Sequence, residues 1–254
     1  MTFAFGATLV LALLIGASLG TLGSGGSTIT MPLLVYVAGV PAHRAVGMSL
    51  VIVGATAAVG SWVQARRTGI DLHAAAVFSA TGLAGAFLGA KLTHLVSGAA
   101  LMTIFGALMI AAGARMLARA VPPRPGPGAA GVRQAAVGVV LGVLTGFLGV
   151  GGGFLVMPAL VLLAGLDIRR AVPTSLAIIA VNAAGGLAGQ VQHVDLDWPF
   201  TLAVLASALT GMLAGTTLAA GLAPERLRSA FAWTILAMGT AVVAREALRA
   251  SGLV

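Results

Sequence analysis

Two stretches of the sequence, separated by 126 residues, decide the fold. Residues 20–50 read GTLGSGGSTITMPLLVYVAGVPAHRAVGMSL, and residues 146–176 read GFLGVGGGFLVMPALVLLAGLDIRRAVPTSL. They align without gaps and are identical at 16 of 31 positions. The same offset still aligns polar and small residues further along, such as Gln64 with Gln190 and Gly85 with Gly211. An internal match of this length indicates that the chain is a duplicated unit.

The composition excludes most classes of soluble protein. Of the 254 residues, 59% are apolar and 8% are charged, whereas a soluble domain carries about 25% charged residues. Mean hydropathy is +1.08. A soluble enzyme, a disordered chain and a nucleic-acid-binding domain are therefore excluded, and the lipid bilayer is the expected environment. Cysteine is absent, which also excludes disulfides and thiolate sites.

A segment rich in proline and glycine divides the two copies. Residues 122–128 read PPRPGPG, and such a segment breaks helices. We therefore assign residues 1–120 to a first repeat, 121–130 to a linker and 131–254 to a second repeat. Apolar runs predict five helices in each repeat. They cover 3–20, 27–39, 46–64, 73–94 and 98–118 in the first repeat, and 132–147, 154–165, 172–190, 199–220 and 227–244 in the second.

The second run of each repeat is too short to cross a membrane. Thirteen residues span about 20 Å at 1.5 Å per residue, against roughly 30 Å of hydrocarbon. The glycine-rich segment 23–26 separates this run from the first one. We therefore predict an all-α polytopic membrane protein in which each half is a helical hairpin, partly re-entrant with a Gly-rich turn, plus three transmembrane helices.

Charge placement predicts that the two halves form an inverted repeat. Three full crossings in each half place ten of the fourteen Lys and Arg residues on one face of the membrane. If each hairpin counted as a single crossing, the split would be eight against six. The positive-inside rule favours the first arrangement. It places the linker in the cytoplasm and both termini outside.

The glycine clusters at the two helix breaks are the main candidates for a binding site. A single glycine of this kind commonly serves close helix packing. Here the cluster recurs at a break before a short helix, where free N–H groups and a positive dipole end can bind an anion. Inverted repeats would bring two such helix starts together near the midplane. The expected substrate-binding residues are Gly23, Gly25, Gly26, Ser27, Thr28, Gly149, Gly151, Gly152, Gly153 and Phe154.

Polar residues in the third run of each repeat extend this hypothesis. These residues either line the pathway or, for the hydroxyls, bond back to their own helix, and the recurrence of serine and glutamine at equivalent positions favours the pathway. They are Ser49, Thr56, Gln64, Thr174, Ser175, Asn182 and Gln190. Arg44 and Arg170 follow the short helices and either snorkel to the interface or attract anions at opposite mouths of the pathway. No acidic residue is expected deep in a helix, so no carboxylate site for a proton or sodium ion is predicted.

Catalysis is the less favoured alternative. Ser24 lies between glycines, but its counterpart is Val150, and the four histidines fall at helix ends or in loops. A serine without a base is not activated. No Lys-Ser or Lys-Thr follows the glycines, so a phosphate-binding loop is excluded. We expect no catalytic residue, metal or cofactor.

The repeated motif resembles a known family. G-x-L-G-x-G-G-x(4)-M-P-x-L-V, followed in both copies by R-A-V-x-x-S-L, is similar to the motif of the TauE/SafE (TSUP) sulfite and organosulfonate exporter family. This resemblance covers nearly the whole chain. It implies a multi-pass carrier of the bacterial inner membrane for sulfur-containing anions such as sulfite, thiosulfate or sulfonates, although some members take up other small organic anions.

The backbone argument and the resemblance agree on a small anionic substrate. We therefore expect a secondary transporter that works by alternating access, with an anion channel as the alternative. We expect the substrate and the lipid bilayer as partners and no nucleic acid. The sequence leaves open whether the chain forms a homo-oligomer. The particular anion, the direction of transport and the coupling ion are not predicted.

Overall fold

A computed structural model of the protein describes residues 2–23, 25–118, 130–148, 153–162, 165–190, 196–219 and 224–251. These residues form ten α-helices, as predicted for an all-α protein. The first five are α1 (Thr2–Leu22), α2 (Gly25–Pro32), α3 (Ala42–Thr68), α4 (Leu72–Leu92) and α5 (Gly98–Leu117). The second five are α6 (Ala130–Leu148), α7 (Gly153–Leu162), α8 (Ile168–Gln190), α9 (Trp198–Ala219) and α10 (Pro224–Ala250).

Length and hydropathy make the protein polytopic. Within the described residues, α3, α4, α5, α8 and α9 are each long and apolar enough to cross a membrane. Shorter apolar stretches lie in α1 and α6. Helices satisfy their own backbone hydrogen bonds, which is why they are suited to a lipid environment.

The predicted break after the first helix is present. Gly23 ends α1 with φ of +76°, a conformation that strongly favours glycine, and its N–H donates to the carbonyl of Leu19 at 2.9 Å. The short helix α2 contains Pro32 and continues as a π-helical turn, Leu33–Val37. Because Gly39 and its counterpart Gly165 both have positive φ, both short helices are followed by the same kind of turn.

Glycines determine how helices from the two halves pack. Pairs spaced four residues apart lie at the α1–α9 and α4–α6 interfaces. A Cβ on Gly16 would collide with the carbonyl of Ala208, and one on Gly142 with the carbonyl of Gly82. Such small-residue spacing lets helix backbones approach closely. The pairs are Gly16 and Gly20, Gly85 and Gly89, Gly142 and Gly146, and Gly211 and Gly215.

The contacts also give the helix directions. In the α3–α8 pair, Gly60 lies against Leu176 whereas Leu50 lies against Gly186, so these two helices are antiparallel. The α5–α10 pair is antiparallel as well, because Gly113 lies against Leu236 and Gly106 lies against Val243.

Parallel pairs complete the arrangement. Helix α9 runs parallel to α1 and to α3, and α4 runs parallel to α6 and to α8. Since α3 and α8 are antiparallel, α1 and α6 also point in opposite directions. The 126-residue offset relates these helix pairs to one another. It converts the α1–α9 pair into the α6–α4 pair and the α3–α9 pair into the α8–α4 pair, and it maps the α3–α8 and α5–α10 pairs onto themselves.

Candidate functional site

The two helix breaks lie at opposite ends of α8. A Cβ on Gly23 would lie 2.7 Å from Cγ1 of Val172, near the start of α8. Toward the other end of α8, a Cβ on Gly186 would lie 3.4 Å from Cα of Gly146, near the end of α6. At 1.5 Å per residue, the stretch of α8 from Val172 to Gly186 is about 21 Å long. The ends of α1 and α6 are separated by about this distance along the bundle.

This separation differs from the expected meeting of two helix starts near the midplane. Helices α1 and α6 have 21 and 19 residues, so each runs most of a membrane thickness before its break. Helices α2 and α7 follow α1 and α6 in the chain and contact each other. Residues Gly149, Gly151 and Gly152 lie outside the described residues. Of the other expected donors, Gly23 directly follows α1. The rest lie in the first turns of the two short helices: Gly25, Gly26, Ser27 and Thr28 in α2, and Gly153 and Phe154 in α7.

The crossing of α3 and α8 brings Thr56 and Asn182 to the centre of the bundle. Thr56 donates its hydroxyl hydrogen to the carbonyl of Ile52 at 2.6 Å. Asn182 is 0% exposed, and neither Oδ1 nor Nδ2 forms a hydrogen bond. Leaving such a buried polar group unpaired costs about 1–3 kcal/mol, so Asn182 is the expected site residue that most needs a ligand.

The helix beside Asn182 is shaped to accept its amide. A Cβ on Gly82 of α4 would lie 2.5 Å from Oδ1 and 2.7 Å from Nδ2 of Asn182. In the other half, the counterpart of Gly82 is Ala208, which lines a cavity of about 10 Å³ together with Thr56. Asn182 thus packs against a glycine, whereas Thr56 lies beside a cavity that an alanine also lines.

The hydroxyls expected to line the pathway are used inside their own helices. Ser49 donates to the carbonyl of Val46 at 2.9 Å, and Ser175 donates to the carbonyl of Val172 at 2.8 Å. Thr174 donates to the carbonyl of Arg170 at 2.7 Å and accepts the N–H of Asp71 at 3.0 Å. These are the bonds back to the same helix that formed the alternative for the hydroxyls, and each uses the only hydrogen that its hydroxyl can donate.

The two arginines lie at opposite ends of the bundle. Arg44 is in the first turn of α3 and Arg170 is in the first turn of α8. Both side chains are exposed. Because α3 and α8 are antiparallel, the arrangement matches the positions expected of residues at two pathway mouths.

A buried carboxylate was missed by the sequence analysis. Glu246 lies near the end of α10 and is only 7% exposed, and no role was assigned to it from the sequence. Its Oε1 accepts the hydroxyl of Tyr36 at 2.8 Å and lies 3.5 Å from Nη1 of Arg249. Burial comes from the first hairpin, which packs over the end of α10, and no local sequence pattern reveals that. The pairing of Glu246 with Arg249, three residues later, is the one signal that was available.

Gln190 is one of the polar residues that the sequence indicated as candidates for the pathway, because glutamine recurs at positions 64 and 190. Its side chain is 0% exposed, and both Nε2 and Oε1 lack hydrogen-bond partners. Among the described residues, no three His, Cys, Asp or Glu side chains come close enough to hold a metal ion.

Comparison with known proteins agrees with this architecture. The family model for the sulfite exporter TauE/SafE matches residues 8–242. A "probable membrane transporter protein" of Xylella fastidiosa (strain 9a5c) is 32% identical over 241 residues, covering 92% of each chain. The "probable membrane transporter protein YdhB" of Bacillus subtilis (strain 168) is 26% identical over 208 residues, covering 80% of this chain and 85% of the relative. No solved structure matches the chain. The chain belongs to the TauE/SafE sulfite exporter family of membrane transporters.

Proposed function

We propose that the protein is a secondary transporter that moves a small anion, and specifically a sulfur-containing one such as sulfite, thiosulfate or an organosulfonate, across the bacterial inner membrane. The observation that carries this proposal is the buried, unpaired amide of Asn182 at the crossing of α3 and α8. An amide donor attracts an anion without holding it as strongly as a buried lysine or arginine does, which allows release.

We further propose that the halves are an inverted repeat across the membrane. This proposal is supported by the antiparallel packing of α3 with α8 and of α5 with α10. A twofold rotation that exchanges two equivalent antiparallel helices has its axis perpendicular to both helices. Because these helices cross the membrane in this proposal, the axis lies in the membrane plane. The division into repeats at 1–120 and 131–254, joined by the linker, follows the same pairing of equivalents.

The pathway in this proposal has donors at three depths. The starts of α2 and α7 provide backbone N–H groups toward the two ends, and Asn182 provides an amide between them. Arg44 and Arg170 attract the anion at the mouths. Ser49, Thr174 and Ser175 are given a structural role instead, since their hydroxyl hydrogens are already donated.

Opposed helix starts are also compatible with alternating access. If one start is open to one side while the other is closed, an anion at Asn182 is reached from one face at a time. A channel would leave both open at once. The two mechanisms differ in kinetics, because a carrier saturates with substrate and exchanges labelled for unlabelled substrate across the membrane.

Liposomes containing the purified full-length protein provide the test. We expect sulfite or thiosulfate uptake to saturate and to show counterflow, and we expect a thermal-shift panel to rank these anions and taurine or sulfoacetate above small carboxylates. Flux that rises linearly with concentration, without counterflow, would favour the channel. A panel in which no anion raises the melting temperature or is transported would reject the proposal.

A further inference from the structure

The equivalent glutamines Gln64 and Gln190 have different surroundings. Gln64 lies near the end of α3, and its Nε2 donates to the carbonyl of Gly20 at 2.8 Å. Gly20 is in the last turn of α1, where carbonyls lack partners within the helix. The role of Gln64 is therefore to satisfy the end of α1 at the first hairpin.

A threonine takes over this role in the second half. The hydroxyl of Thr93, which follows α4, donates to the carbonyl of Phe147 at 2.9 Å and lies 3.5 Å from the carbonyl of Gly146. Gly146 is the counterpart of Gly20. The counterpart of Thr93 is Ala219, which has no hydroxyl. Thus the end of α6 already has a donor, and Gln190 is not needed there.

Gln190 nevertheless lies at that end of the bundle. Gly186 packs against Gly146, and residues four apart in a helix share a face, so Gln190 continues the surface of α8 that meets the end of α6. Its amide is fully buried and forms no hydrogen bond. Thr93 and Lys91 lie at the same end, and Lys91 is exposed in the last turn of α4, which adds a positive charge there.

We propose that Gln190 is a ligand-binding residue whose Nε2 donates to an oxygen of the transported anion. This assignment rests on the proposed function and refines it: the ligand is an oxyanion, and the site at this end is asymmetric, because Gln64 is committed to Gly20 while Gln190 is free. The duplication thus supplies one glutamine for structure and one for the substrate.

The test compares thermal unfolding of the purified full-length protein in lipid nanodiscs with and without sodium sulfite or sodium thiosulfate. Sodium chloride at equal ionic strength corrects for screening. Apparent affinity is taken from the dependence of the melting temperature on anion concentration. Counterflow in liposomes gives a second readout.

The matched variants are Gln190→Leu and Gln64→Leu. Gln190→Leu should weaken the apparent affinity by about tenfold or more, as expected for a lost hydrogen bond to a charged group. Its melting temperature without anion should be equal to or above that of wild type, because an unpaired amide is removed. Gln64→Leu should lower the melting temperature without anion, since the carbonyl of Gly20 loses its donor, while affinity changes by less than about twofold.

A third variant acts on Gln190 without changing it. Thr93→Val removes the hydroxyl that occupies the carbonyls of Gly146 and Phe147, so Gln190 should turn to donate to them as Gln64 does in the first half. We expect the affinity for the anion to fall while the melting temperature stays close to that of wild type.

The outcomes separate this inference from the proposed function. If neither anion stabilises the wild-type protein or undergoes counterflow, the proposed function fails and the role of Gln190 fails with it. If wild type responds and Gln190→Leu responds equally, only the assignment of Gln190 is overturned. It is also overturned if Gln190→Leu lowers the anion-free melting temperature as much as Gln64→Leu, because Gln190 would then be structural.

Discussion

Asn182→Leu is the sharpest perturbation of the proposed central site. Leucine branches at Cγ as asparagine does, but its two methyl groups are bulkier than the amide that already packs against Gly82. The substitution removes both Oδ1 and Nδ2, which form no hydrogen bond in the structure. The variant therefore removes the polarity at the crossing of α3 and α8 while it keeps the branching of the side chain.

The expected stability change follows from the burial of this amide. Asn182 is 0% exposed, and an unpaired buried polar group costs about 1–3 kcal/mol. Leucine is larger than asparagine, and overpacking a buried site costs about 1–3 kcal/mol. The two effects oppose each other, so the stability of the anion-free protein should change by less than about 2 kcal/mol in either direction. Binding of sulfite or thiosulfate should weaken at least about tenfold, because the anion loses a donor in a desolvated place.

Stability can be measured by unfolding in mixed micelles, and binding by the anion-induced thermal shift. Gly82→Ala is the companion variant, because its Cβ would displace the Asn182 amide while leaving the residue in place. It should weaken binding as well. Destabilisation of the Asn182→Leu protein by more than about 3 kcal/mol, beyond the cost of overpacking, would mean that the amide has a partner in the folded state. Unchanged binding and transport in Asn182→Leu would exclude the amide from the site.

Three further predictions concern packing, steering and topology. Gly142→Ala should destabilise the protein by about 1–3 kcal/mol, because the added Cβ pushes α4 away from α6. Gly6→Ala is the control: a Cβ at Gly6 would have no atom within 4 Å, so this variant should be neutral or stabilising by up to about 1 kcal/mol. Chemical unfolding measures both variants. Arg44→Gln or Arg170→Gln should lower apparent affinity in flux assays and flatten its dependence on ionic strength, and unchanged kinetics would leave these arginines as interfacial anchors. Reporter fusions should place the C-terminus outside and the linker in the cytoplasm, and a cytoplasmic C-terminus would exclude the predicted orientation.

The helical architecture was predictable because it follows from repetition and hydropathy. Gly23 and Gly39 marked the two ends of the short second helix of the first repeat, and both have positive φ in the structure. Composition alone indicated a polytopic membrane protein. These features depend on local sequence and on the length of apolar runs, which a single sequence records directly.

The depth of the breaks and the partners of polar groups depend on tertiary packing. The prediction that the helix starts meet near the midplane treated α1 as part of a re-entrant hairpin, but α1 extends far enough to place Gly23 beside the start of α8. Similarly, nothing in the local sequence indicates that Glu246 is buried, because its burial comes from the first hairpin. Sequence placed Asn182 in the site, but only the structure distinguishes its unpaired amide from the committed hydroxyls of Ser49 and Ser175.

The divergence of the two copies predicts where the substrate of the proposed transporter passes. The glycine contacts that hold α1 to α9 and α4 to α6 are equivalent in both halves, as expected for a scaffold. The polar positions differ: Thr56 and Gln64 on α3 form hydrogen bonds, whereas Asn182 and Gln190 on α8 do not.

Both unpaired amides, Asn182 and Gln190, belong to α8, which packs on α4 and α6. Each amide has a nearby residue that differs from its counterpart in the other half. Gly82 stands where the other half has Ala208, and Thr93 stands where it has Ala219. In each case an amide of α8 is buried and unpaired, which costs about 1–3 kcal/mol of folding stability. We therefore expect the pathway to follow α8 on the side of α4, so that substitution of Asn182 or Gln190 changes affinity while substitution of the equivalent Thr56 or Gln64 on α3 changes stability.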